Sequence, residues 1–129
     1  LLGDAHAPTL TSGISRLAAA AGEARLRLDA VKMAHHGSAA NLSHDLLRKL
    51  DCQTWLVSSD GSIFNHPDDE AIHTVVSRVP GARLLFNYRS ARTAPWDEPA
   101  ARQAHGHQAF YPRDATAGIA LDLMSGTPA

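Results

Sequence analysis

Residues 31 to 43 read VKMAHHGSAANLS, which puts two adjacent histidines, a glycine and a serine directly after an apolar strand. Other groups able to do chemistry fall at comparable places: Asp4 after Leu1-Leu2-Gly3, Ser58-Ser59-Asp60 after Thr54-Trp55-Leu56-Val57, and His66 before Pro67. Aspartate and histidine suit zinc, iron or manganese, because a carboxylate oxygen can bridge two cations and a neutral imidazole donates one nitrogen. Gly37 lets the backbone pass close to a ligand or take a positive φ. A histidine pair alone reads first as a surface loop, so any metal reading rests on what lies upstream and downstream of it.

The elements that must position these groups alternate along the chain. Thr9 or Thr11 can cap a helix carrying Leu10, Ile14, Leu17 and Ala18 on one face, ended by Gly22. Arg25 to Ala34 reads as a strand that becomes buried towards its C-terminal end, and His35-His36-Gly37-Ser38 is the loop after it. Asn41 or Ser43 then caps a short helix with Leu42, Leu46, Leu47 and Leu50 inward, and Thr54 to Ser58 is the next strand. His66-Pro67-Asp68-Asp69-Glu70 opens a helix with the proline at its first position and acids in its first turn; Ile72, Val75, Val76 and Val79 face inward and Pro80-Gly81 stops it. Arg83 to Tyr88 is a strand, Arg89 to Thr116 a long loop containing a short helix at Glu98 to Ala104, Gly118 to Leu123 a final strand, and Ser125 to Ala129 a tail. Strands separated by helices predict an α/β layered arrangement, with the chemistry-bearing residues at strand ends, where such folds place their sites.

The 129 residues suit one domain, and 44% hydrophobic with 19% charged residues is the composition of a globular chain, neither disordered nor membrane-spanning. A net charge of -1 gives no electrostatic footprint for nucleic acid or an anionic membrane, so an anionic substrate has to be attracted by local groups or a bound metal. Cys52 stands alone and forms no internal disulfide, which leaves the compartment open. No apolar run is long enough to cross a bilayer. Leu1-Leu2-Gly3-Asp4 reads as the end of a buried strand without the residues that should precede it, and truncation is the expectation.

Taken together, Leu1-Leu2-Gly3-Asp4-Ala5-His6, then Leu28 to Ser38 ending in HHGS, then Val57-Ser58-Ser59-Asp60-Gly61 with His66-Pro67, resemble the C-terminal half of a metallo-β-lactamase-fold hydrolase. The resemblance is to the branch that includes the hydrolase domain of ComEC-like DNA-uptake proteins and phosphorylcholine esterases. It covers most of the chain, weakly between Arg89 and Ala117. It implies that residues 1–129 form a single partial domain: the C-terminal half of an αββα sandwich, one mixed sheet with helices on its outer face. A sheet normally packed against a second one would then expose an apolar face, predicting association, a partner chain or poor solubility.

By position, the resemblance makes Asp4 the carboxylate that bridges two metals, zinc ions in the first instance with manganese or iron as alternatives. One of the HHGS histidines is then the last metal ligand, with His36 favoured and His35 close enough to contact a phosphoryl or carboxylate oxygen. Ser38, or backbone amides near Gly37, contacts substrate; His66 either lines the pocket or merely precedes a helix. Metal-activated water would attack a phosphoester or related bond. His44, His73, His105 and His107 match nothing and read as surface or packing residues, and His6 has no family role. A glycine-x-serine-x-glycine elbow is missing around Ser38, which argues against a covalent nucleophile.

The departure from the family is large. Its signature histidine-x-histidine-x-aspartate-histidine run does not occur in this sequence. A catalytic metal needs about three protein ligands plus an open position, and by the resemblance this chain supplies two. The expected function is therefore part of a metal-dependent hydrolase, inactive alone and completed by a missing N-terminal half or by a homo-oligomer, acting on a small-molecule or phosphoester substrate. The alternatives are a non-catalytic interaction or regulatory module that keeps the fold without the full metal site, and an unrelated α/β domain with a site built from His6, His66 or His105.

Overall fold

The computed structural model describes residues 2–114 and 118–128. The chain begins with helix α1 (Ala7–Ala20), followed by two short strands, β1 (Leu26–Arg27) and β2 (Val31–Lys32). The HHGS loop leads to helix α2 (His44–Arg48) and strands β3 (Leu50–Asp51) and β4 (Thr54–Val57). Helix α3 (Asp69–Arg78) and strand β5 (Arg83–Phe86) come next, then helix α4 (Pro99–His105), strand β6 (Gln108–Phe110) and a hairpin of β7 (Leu121–Asp122) and β8 (Thr127–Pro128). The α/β class expected from the alternation is the one observed.

The principal sheet has the order β2-β4-β5-β6 and every pair in it is parallel. It is accompanied by a parallel β1-β3 pair and the antiparallel β7-β8 hairpin, so the single mixed sheet of the expectation is replaced by three separate pieces. Each parallel pairing follows from a crossover through a helix or long loop, whereas the only tight return among the described residues is at the C-terminus.

Both faces of the principal sheet matter to the site. Val31, Trp55, Leu84 and Val57 lie on one face and join Ile14, Leu46, Leu47, Ile72, Val75 and Val76 of the helices in the core. Trp55, Leu84 and Phe86 are almost fully buried there. By alternation Lys32, Leu56, Arg83, Leu85 and Asn87 occupy the other face. That face is not left open as expected: Leu85 is fully buried, and the C-terminal segment crosses over it, with the Ile119 amide donating to Asn87 Oδ1 at 2.8 Å and the Arg83 guanidinium to the Gly126 carbonyl at 2.6 Å.

Several boundaries differ from expectation for identifiable reasons. Thr9 and Thr11 lie inside α1 and cap nothing; Pro8 fits the first turn, so the helix starts upstream at Ala7, and Thr11 Oγ1 donates back to the Ala7 carbonyl at 2.8 Å. Leu17 is 60% exposed because α1 buries only a narrow stripe through Ala7, Ile14 and Ala18. Gly22 does end the helix, with φ +74° and the Glu23 amide reaching the Ala18 carbonyl at 2.9 Å. The continuous strand expected over 25–34 breaks at Leu28–Ala30, in step with Cys52-Gln53 between its pairing partners β3 and β4.

Ser43, and not Asn41, caps α2, accepting the Leu46 amide at 3.1 Å. Pro67 precedes α3 and takes no place in its first turn; Asp68 stands at the N-cap. Strand β6 lies inside the segment expected to be loop, and the tail forms β8; Leu1, 115–117 and Ala129, which those expectations also touched, lie outside the described residues. Among the described residues no helix is long and apolar enough to cross a membrane.

Candidate functional site

The HHGS loop has an unusual backbone. His35, His36 and Gly37 all adopt positive φ, at 43°, 56° and 92°. For two non-glycine residues in succession this conformation persists only when the surroundings hold it. The surroundings are visible. The His35 amide donates to the Gly3 carbonyl at 2.9 Å, the Ser38 amide turns back to the His35 carbonyl at 3.1 Å, and the Asp68 amide donates to the Gly37 carbonyl at 3.0 Å. A Cβ on Gly37 would lie 2.8 Å from Pro67 Cβ, so the loop packs directly on the turn before α3.

These bonds draw distant segments together. Asn41 is 2% exposed, and its Nδ2 donates to the Asp4 carbonyl at 3.2 Å and the Ala5 carbonyl at 3.0 Å. The Gly3-Asp4-Ala5 turn is therefore held to the HHGS segment from both sides. In sequence Asn41 reads only as a helix cap; nothing local signals a side chain that bonds across 36 and 37 residues.

The histidine tautomers follow from their partners. His36 Nδ1 sits 2.6 Å from the Ser58 carbonyl, and a carbonyl only accepts, so Nδ1 carries the proton and Nε2 keeps its lone pair. This is the arrangement found behind metal-bound histidines, where the second nitrogen is fixed by a backbone carbonyl or carboxylate. His66 Nδ1 likewise donates to Asp68 Oδ1 at 3.0 Å. Burial would raise the Asp68 carboxyl, but the Ala39 amide at 2.8 Å and His66 outweigh it and hold it below the usual carboxylate range. The ring of His35 lies 5.4 Å from that of His66 and 6.4 Å from that of His36.

A cleft of about 360 Å³ opens here, lined by His36, Ser58, Ser59, Asp60, Ser62, Ile63, Phe64, His66 and Tyr88. The expected site residues distribute unevenly around it. His36 and His66 line it, and His35 stands beside His66 and Phe64. Asp4 is exposed and belongs to the adjoining turn, outside the lining; Ser38 is 7% exposed and buried beneath the loop, also outside the lining. Ile63 and Phe64 carry no periodic signal in the sequence because they sit in a loop, and the sequence reads Tyr88 only as a strand end, whereas the strand stops at Phe86. His107 is buried as a packing residue and its Nε2 faces the Trp96 carbonyl at 2.6 Å.

Among the described residues no group of three or more histidine, cysteine, aspartate or glutamate side chains gathers where it could hold a metal ion. The donors gathered among the described residues do not by themselves supply the three protein ligands that a catalytic metal centre needs. No family model, curated protein or solved structure matches the chain.

Proposed function

We propose that this chain contributes part of the site of a metal-dependent hydrolase acting on a phosphoester or related bond. The remaining ligands would come from outside these residues or from a second copy of the chain. The observation that carries the reading is the junction of the two motifs: the His35 amide bonds the Gly3 carbonyl while Asn41 holds the carbonyls of Asp4 and Ala5. In the resemblance those motifs supply neighbouring ligands, and the junction gives a physical reason for both to be present. His36 adds the chemistry, with Nδ1 committed to the Ser58 carbonyl and Nε2 left for a ligand. Zinc is the cation that this donor chemistry suits best, with manganese or iron as alternatives.

The test is zinc titration of the purified chain followed at the histidine side-chain ¹⁵N resonances. The expected result is a ligation shift at His36 Nε2 while Nδ1 stays protonated, and affinity weakened about 10-fold or more in His36→Ala. A shift confined to His35, or zinc binding indifferent to His36→Ala, would overturn the assignment.

A further inference from the structure

We propose that the cleft beside His36 and His66 takes a substrate whose polar head carries an aromatic or apolar group seated on Ile63, Phe64 and Tyr88. The proposal rests on the hydrolase reading of this cleft and adds the class of substrate to it.

Among the described residues six large apolar side chains stand exposed: Leu17, Ile63, Phe64, Tyr88, Leu123 and Met124. Three of them, Ile63 at 82%, Phe64 at 67% and Tyr88 at 42% exposure, line this one cleft. Scattered exposed apolar residues are ordinary, but their concentration on the wall of a concavity of small-molecule size is the usual form of a ligand subsite. The loop that presents Ile63 and Phe64 is organised by its own bonds. Asp60 Oδ1 accepts the Ser62 amide at 2.9 Å and the Ser62 hydroxyl at 2.7 Å, the Gly61 amide reaches Ser59 Oγ at 3.1 Å, and the Asn65 amide reaches the Gly61 carbonyl at 3.2 Å. A loop held this way presents its apolar tip at little ordering cost on binding.

The apolar wall adjoins the polar end directly. The Phe64 ring centroid is 6.2 Å from that of His35 and 6.3 Å from that of His66. Among the described residues no lysine or arginine lines the cleft itself, and its one carboxylate, Asp60, also borders an adjoining pocket with Arg89 and Arg113. A single polar head on an aromatic or aliphatic group meets the histidines at one end and the apolar wall at the other.

The experiment is a titration of the chain with phenylphosphonate and with methylphosphonate, followed by amide ¹H–¹⁵N shifts, with and without zinc, in the native chain and in Phe64→Ser. The expected result is phenylphosphonate binding roughly 10-fold tighter, with shifts at Ile63, Phe64 and Tyr88. Phe64→Ser should remove most of that preference. Phe64 is exposed, so the variant should fold. Equal affinity for the two probes, no binding of either, or a preference that survives Phe64→Ser overturns the proposal. So does self-association abolished by Phe64→Ser without any phenyl preference, which assigns the patch to a second copy. A Phe64-dependent preference with zinc changing the affinity of neither probe would sustain the subsite and count against the hydrolase reading. Zinc strengthening both probes with no preference between them would sustain the hydrolase reading and overturn the subsite.

Discussion

Replacing Gly37 with alanine should lower the stability of the fold by about 3 kcal/mol, from a left-handed backbone forced on a residue with a Cβ and from overpacking at an unyielding contact. The φ of Gly37 is +92°, and the added methyl would meet Pro67 Cβ at 2.8 Å and Pro67 Cα at 3.3 Å. Neither side can give way easily. Pro67 is buried, its carbonyl accepts two N–H groups of Arg92 at 3.1 and 3.2 Å, and the Gly37 carbonyl is itself bonded to the Asp68 amide. Gly3→Ala is the internal control. Its φ is +56°, but a Cβ there meets nothing within 4 Å, so only the backbone cost of about 1 kcal/mol should appear. Urea unfolding of both variants measures the difference. If Gly37→Ala costs no more than Gly3→Ala, the packing of the HHGS loop on the turn before α3 is wrong.

The second large effect is expected at Asn41. Asn41→Ala removes both donors to the Asp4 and Ala5 carbonyls from a position only 2% exposed. The loss should be about 2 kcal/mol, two neutral hydrogen bonds at about 1 kcal/mol each. Asn41→Asp should be worse at neutral pH, because a carboxylate would face two carbonyl oxygens in place of a donor. Denaturation gives the stability, and amide hydrogen exchange gives the location: protection of the His35 amide, which bonds Gly3, should fall before that of β4 and β5. Unchanged exchange at His35 would mean that Asn41 does not tie the two turns together.

Much of the scaffold was legible because its signals are local. The 3.6-residue period of Ile72, Val75 and Val76 places α3, Ser43 marks the start of α2, and the apolar runs at Thr54 and Arg83 are β4 and β5. What escaped depends on partners far along the chain. Strand β6 is three residues at a sheet edge and exists because β5 offers it a ladder. The break at Leu28–Ala30 is set by the neighbouring strands, and Asp68 looked like one of three helix-start acids although its carboxylate serves Ala39 and His66.

The site divides the same way. HHGS was conspicuous as a motif, whereas its three successive positive φ angles, the Ser58 carbonyl behind His36 and the grip of Asn41 arise only once the strands are side by side. The same contacts explain the position of Ser38. The turn that exposes His36 buries Ser38 on its inner side, so the residue that looked like a substrate contact packs under the loop.

The proposed function requires the Gly3-Asp4 turn and the HHGS loop to act as one unit. The measurement that tests this most directly is a double-mutant cycle on zinc affinity: native chain, Asp4→Ala, His36→Ala and both together. Each single variant is expected to weaken binding, and the double variant to lose clearly less than the two losses combined, as follows if Asp4 and His36 share one site. Losses that simply add, or no loss in Asp4→Ala, would mean that the two motifs bind nothing in common.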